Sequence, residues 1–212
     1  MRVVCIDSDV DDATKQVSNW CSANTYPLVT TINTFEVVLL RGNRAVRIYL
    51  EQELVRTDVV FLSGSGHGLY DEFQGNDGLA VLEKNEYAPN EVAGKIIHLL
   101  SCNTAFQLGT DVVANGCKAF FGYDVPFTYH YEYIDYFMQP DHHLILAVLN
   151  GSSARDVHEI VIRKYNDAIT SLEQKNADPY VIADMETDRD HFCSPSVHGS
   201  WGDLNSSLAP VA

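Results

Sequence analysis

Positive charge is scarce in this chain: 14 Lys and Arg stand against 29 Asp and Glu, for a net charge of −15 over 212 residues. Gripping a phosphate backbone takes clustered cations, so nucleic acid is excluded as a partner, and an anionic membrane surface is disfavoured for the same reason. Long apolar runs are missing too. The opening Met-Arg-Val-Val-Cys-Ile-Asp is only strand-length and soon meets Asp7, Asp9, Asp11 and Asp12, which fits neither a signal peptide nor a membrane span. The five cysteines, Cys5, Cys21, Cys102, Cys117 and Cys193, are odd in number and contain no C-x-x-C pair. That excludes a disulfide framework and points to a reducing compartment, so the expected location is the cytoplasm. Internal repeats, low-complexity tracts and interdomain linkers are absent as well.

With 46% hydrophobic and 20% charged residues, the composition is that of a globular protein. One domain over residues 1–204 is expected, with a flexible, polar tail at 205–212. Strand and helix patterns alternate. Val3 to Ile6 reads as a strand, and Ala13, Val17, Trp20 and Cys21 then recur at helical spacing. A second strand falls within Leu28 to Leu40, and a helix is expected from an Asn43 N-cap through Val46, Leu50 and Leu54. The uninterrupted runs Val59-Val60-Phe61-Leu62 and Ile96-Ile97-His98-Leu99-Leu100 suit strands covered on both faces. A helix near Thr110 to Asn115 leads to the strand-like run at 117–123. Ser153 to Asp156 forms a capping box ahead of a long helix marked by Val157, Val161, Tyr165, Ala168 and Leu172. The pattern predicts an α/β layered fold with a mostly parallel central sheet flanked by helices.

Two motifs sit at the ends of the continuous apolar runs: Ser-Gly-Ser-Gly-His-Gly at 63–68 and Leu-Leu-Ser-Cys-Asn at 99–103. His67 and Cys102 are thereby placed at the carboxyl ends of two strands, where open parallel sheets build their sites. A thiol and an imidazole in that position can act as a nucleophile and its proton partner. Taken alone, Cys102 also fits a small buried residue, and the glycine loop also fits an anion cradle, although no Lys, Arg or Walker spacing accompanies it.

His-Gly after one hydrophobic strand and Ser-Cys after the next long one resemble the clan of cysteine peptidases that contains caspases, gingipains, clostripain, separase and the CHAT-domain proteases. Phe-Gly-Tyr at 121–123, the long helix after Asn150-Gly151 and Val-His-Gly-Ser-Trp-Gly-Asp at 197–203 are similar to the gingipain and CHAT branch. Leu100 and Ser101 stand where caspases have Gln-Ala and metacaspases Asp-Ser. The resemblance implies a caspase-like fold and a cysteine endopeptidase acting on a protein or peptide substrate. Cys102 would be the nucleophile and His67 the general acid and base, with the Gly68 and Cys102 amides forming the oxyanion hole and Ser101 and Tyr123 lining the substrate site. It implies no metal and no cofactor, and it leaves room for an activating protein partner.

In this clan, a residue just after the first strand often lines the specificity pocket, and here that place holds Asp7, Asp9, Asp11 and Asp12, so an acidic pocket would favour Arg or Lys before the scissile bond. A solvated turn with a helix N-cap fits the same acids. Tyr129 and its aromatic neighbours fit either a cleft wall or core packing. The acidic loop at 70–78 lacks EF-hand spacing and reads as a solvated loop, and His191, Cys193 and His198 lack the spacing of a zinc site. A catalytically silent caspase-like module with a binding or regulatory role, and a thiol redox sensor, are the competing functions.

Overall fold

The computed structural model describes residues 1–208. Its elements in chain order are β1 (Arg2–Asp7), α1 (Asp12–Asn24), α2 (Tyr26–Val29), β2 (Glu36–Arg41), α3 (Arg47–Leu54) and β3 (Val59–Ser65). Then come β4 (Glu72–Gln74), β5 (Ala80–Glu83), α4 (Pro89–Val92), β6 (Ile96–Leu100), α5 (Thr110–Ala114) and β7 (Ala119–Tyr123). The last elements are α6 (Ile134–Leu149), α7 (Ala154–Gln174), α8 (Pro179–Asp190), β8 (Phe192–Cys193) and α9 (Pro195–His198). The main sheet runs β2-β1-β3-β6-β7-β8, parallel except for β8, which pairs antiparallel with β7. The mostly parallel α/β architecture expected from the sequence is therefore present.

The strands read as continuous apolar runs because each feeds two cores. Along β1, Val3 and Cys5 enter one core while Val4 and Ile6 enter the other; along β6, Ile96 and Leu100 go to the first and Ile97 and Leu99 to the second. This period-two division is the pleat itself. Helices α1, α6, α7 and α8 cover the first face, while α3, α5 and the β4-β5 hairpin cover the second. A fully buried Leu or Phe contributes about 1.5–3 kcal/mol relative to an exposed one, so the two cores together decide the fold.

Several local expectations shift. The second strand starts at Glu36, after the short α2 has used Tyr26 and Val29. Asn43 lies in a single tight turn at Gly42–Arg44, and α3 begins only after Val46 in extended conformation. The acidic stretch at 70–78 is only in part a solvated loop: β4 within it pairs with β5, and Phe73 is fully buried in the second core. The tail also docks further than its polar composition suggested. Ser206 accepts the Ala154 N–H through its carbonyl at 2.8 Å, and Leu208 packs into the first core; residues 209–212 lie outside the described residues. The Ser153 capping box of α7 forms as expected. None of the described helices is long and apolar enough to cross a membrane.

Candidate active site

Register builds the site. β3 and β6 are neighbours with Ser65 opposite Leu100, so the residues that follow each strand emerge side by side, about 4.8 Å apart in the hydrogen-bonding direction. His67 follows Ser65 by two residues and Cys102 follows Leu100 by two. The Gly66 N–H donates to the Leu100 carbonyl at 3.2 Å, holding the two loops together. On the other side of β3, Asp7 of β1 pairs with Ser65, which brings the acidic turn at 8–12 against the His67 loop. The chain leaves β1 for β2 on one side and returns to β3 on the other. That is a topological switch point, where such sheets place their ligand crevices.

Glycine is required where the loops touch. A Cβ on Gly68 would lie 2.6 Å from the Cys102 carbonyl oxygen, 2.6 Å from Thr104 Cγ2 and 3.0 Å from Ser101 Cβ. Only a residue without a side chain lets the backbone after His67 approach the backbone at Cys102 so closely. No acceptor among the described residues takes the Gly68 N–H. Asn103, next to Cys102, has a positive φ of 60°, and its N–H donates to the Val125 carbonyl at 2.9 Å. A π-helical turn at Ala105–Gly109 then carries the chain away from the site.

His67 and Cys102 line one open cleft of about 120 Å³. Its walls are Ala13, Thr14 and Val17 of α1, Gly66, Leu100 and Ser101 from the strand ends, and Phe127 and Tyr129 from the loop after β7. His67 is well exposed, and its Nε2 lies 2.6 Å from Asp11 Oδ2. Asp11 is also the N-cap of α1: its Oδ1 accepts the Thr14 N–H at 2.9 Å and the Thr14 hydroxyl at 2.9 Å. These contacts, the Thr14 amide first and His67 after it, hold the Asp11 carboxyl down at about 2. The Cys102 thiol is half-buried and donates a long, weak hydrogen bond of 3.9 Å to the Phe127 carbonyl. Burial pushes this thiol up from its ordinary value, against the opposing hydrogen bonds of the Phe127 backbone and its own amide.

The other expected site residues fall in different places. Ser101 reaches the cleft, but its hydroxyl is turned inward to Thr104 Oγ1 at 2.9 Å. Asp7 does not reach it. The residue is 1% exposed, and its carboxylate accepts from the Tyr26 hydroxyl, from Ser65 Oγ at 2.7 Å and from Ser18 Oγ at 3.4 Å, with Arg41 at 3.6 Å. Its position as the last residue of a strand covered on both faces turns it into the protein, and burial there pushes its carboxyl up. Asp9 is not among the residues lining the cleft, and its backbone N–H donates to Asn76 Oδ1 at 2.6 Å. Tyr123 belongs to the core, fully buried, its hydroxyl donating to Asp141 Oδ2 at 2.8 Å and lying 2.6 Å from that of Tyr165. The same network continues through Asp141 to His98 and Ser63.

Tyr129 resolves to the cleft wall. Its hydroxyl donates to the Ala13 carbonyl at 2.8 Å and lies 3.0 Å from Gln16 Oε1, latching the loop after β7 onto α1. Behind that loop, Asp188 of α8 is fully buried, with Oδ1 accepting the Thr128 N–H at 3.3 Å and Oδ2 unpaired. Burial, with Asp141 and Asp184 nearby, raises its carboxyl to about 9. Among the described residues no group of three His, Cys, Asp or Glu side chains is placed to hold a metal ion. His191 Nδ1 instead lies 2.9 Å from Asp124 Oδ1, and the His198 side chain lies outside the described residues.

Sequence reasoning missed the Asp11–His67 contact. The cap pattern at Asp11 was legible, but its second partner depends on β1 lying beside β3, which nothing in residues 7–14 encodes.

No protein-family model and no curated protein matches the chain. Among solved structures it is similar to the Arg-specific cysteine proteinase gingipain R (RGPB), with a TM-score of 0.62 at 11% identity, covering 98% of this chain and 47% of that one. It is also similar to a complex of the Porphyromonas gingivalis RgpB pro- and mature domains, with a TM-score of 0.58 at 10% identity, covering 98% and 48%. The chain thus spans about half the length of the structures it matches. At such identities the likeness is one of fold: a caspase-like sheet of the gingipain type, with no support for a CHAT-domain branch.

Proposed function

We propose that the protein is a cysteine endopeptidase in which Cys102 is the nucleophile and His67 the proton carrier. The observation that carries this reading is the convergence of both side chains on one cleft, with Gly68 packed against the Cys102 carbonyl, at the switch-point edge of a caspase-like sheet.

The chemistry follows from the groups present. Cys102 gives its thiol proton to His67, and its sulfur, as thiolate, attacks the scissile carbonyl carbon and forms a C–S bond while the carbonyl oxygen takes up negative charge. The Gly68 N–H, free of any acceptor among the described residues, and the Cys102 N–H are the donors for that oxygen. The C–N bond then breaks, and the leaving amine takes a proton from His67. Water, deprotonated by His67, cleaves the thioester, releasing the acid and restoring the thiol. Asp11 accepts from His67 Nε2, which fixes the ring and leaves Nδ1 for the proton transfers. Asp11 touches neither sulfur nor substrate in this scheme and is a positioning residue.

One observation favours a second reading, a regulatory module of the same fold. Burial stabilises the protonated thiol of Cys102, and the loop at Phe127 covers it. Such a catalytically silent module would act by binding a protein partner; among the neighbours, the RgpB pro- and mature domains form a complex. A peptide-library digest read by mass spectrometry, with wild type and Cys102→Ala, separates the two. Cuts made by wild type alone support the peptidase. Absence of cuts by either protein favours the module.

A further inference from the structure

The cleft beside Cys102 bears on which side chain precedes the scissile bond. An Arg or Lys buried next to the nucleophile needs a carboxylate, because an unpaired buried cation is costly. No Asp or Glu is among the residues that line this cleft, and three of the nearest acids are engaged or turned inward. Asp11 has one oxygen on Thr14 and the other on His67. Asp7 is 1% exposed among Tyr26, Ser65, Ser18 and Arg41. Asp188 is fully buried behind Thr128.

What the cleft offers is apolar. Ala13 and Val17 come from the first turns of α1, Leu100 from the end of β6, and the Phe127 and Tyr129 rings close it from the loop after β7. The polar end of Tyr129 is spent on Ala13 and Gln16, so its ring presents hydrocarbon. Pockets of this composition gain their free energy from apolar area and reject charge.

We infer that the protein cleaves after apolar residues, Leu, Met or Phe, with Val17, Leu100 and Phe127 setting the preference. This rests on the reading of Cys102 as a peptidase nucleophile. It differs from the basic preference that the acids after β1 suggested, and the difference arises because Asp7 packs inward, Asp11 is held by Thr14 and His67, and none of these acids lines the cleft.

The test is a set of fluorogenic peptides identical except for the residue before the scissile bond, assayed with wild type, Cys102→Ala and Val17→Ala. In parallel, peptidyl acyloxymethyl ketones carrying Leu or Arg are offered; the thiolate displaces their carboxylate to leave a thioether adduct seen by intact mass. The inference expects kcat/KM for Leu, Met or Phe at least about 100-fold above Arg and Lys, an adduct with the Leu ketone only, and a shift of Val17→Ala toward Phe. Cys102-dependent cleavage or labelling that favours Arg or Lys overturns the preference while leaving the peptidase intact. An unchanged side-chain profile in folded Val17→Ala removes Val17 from the wall and overturns its assignment. Neither cleavage nor adduct with any reagent overturns the peptidase reading and this inference with it.

Discussion

Replacing Gly68 with alanine tests the closeness of the two loops that carry His67 and Cys102. The added methyl would meet the Cys102 carbonyl oxygen and Thr104 Cγ2 at 2.6 Å each and Ser101 Cβ at 3.0 Å. Two of these contacts are far inside van der Waals separation, and one is to backbone, so no rotamer change relieves it. Overpacking of this kind costs typically about 1–3 kcal/mol. At about 2–4 °C per kcal/mol for a chain of this length, Tm should fall by roughly 2–12 °C. The effect on turnover should be larger in proportion, because a shift of about 1 Å between nucleophile and proton carrier costs on the order of 10²-fold. The assay pairs a thermal melt with kcat/KM on the best peptide found. Thr104→Ser on top of Gly68→Ala removes the Cγ2 clash and leaves the backbone one, so it should recover only a minor part of the loss. A Gly68→Ala protein with wild-type Tm and turnover would refute the close approach of the Gly68 backbone to Cys102 on which the proposed site depends.

Asp11→Asn keeps an N-cap acceptor for Thr14, so stability should change by less than about 0.5 kcal/mol, while kcat/KM falls at least about tenfold, part of the 10²–10⁴ that general acid–base catalysis supplies; loss of stability without loss of turnover would confine Asp11 to capping. Asp188 titrates near 9 in the folded protein against an ordinary value near 4. Between these values the native state binds the extra proton, so stability falls as pH rises, and Asp188→Asn should flatten that fall in denaturant titrations from pH 5 to 9. An unaltered pH profile would mean that Asp188 is ionised in the native protein. Tyr123→Phe strips a donor from Asp141 and a partner from Tyr165 inside the core, and should cost about 1–3 kcal/mol in chemical denaturation with KM unchanged; a raised KM would return Tyr123 to the substrate site.

The layered fold was legible because its evidence is local. The apolar runs at 59–62 and 96–100 suit strands buried on both faces, and the Ser153 cap with the spacing from Val157 to Leu172 marks a long amphipathic helix, as found. His67 and Cys102 were legible for the same reason, since each follows its strand directly. What depends on register was not. Asp7 and Asp9 follow β1 just as His67 follows β3, yet Asp7 ends inside the core and Asp9 against Asn76, while Asp11 reaches the imidazole. Tyr123 likewise continues a buried strand and stays buried, because α6 and α7 supply Asp141 and Tyr165 to receive its hydroxyl. The docking of Leu208 was hidden by its small, polar neighbours.

The central claim is that Cys102 forms a covalent bond to substrate, and the most direct measurement is intact mass of the acid-quenched enzyme after mixing with an activated peptidyl ester carrying Leu at the acyl position. The account predicts a thioester adduct that maps to Cys102, absent in Cys102→Ala and persisting longer in His67→Ala, where deacylation lacks its base. No adduct, or one mapping to another of the five cysteines, would contradict it.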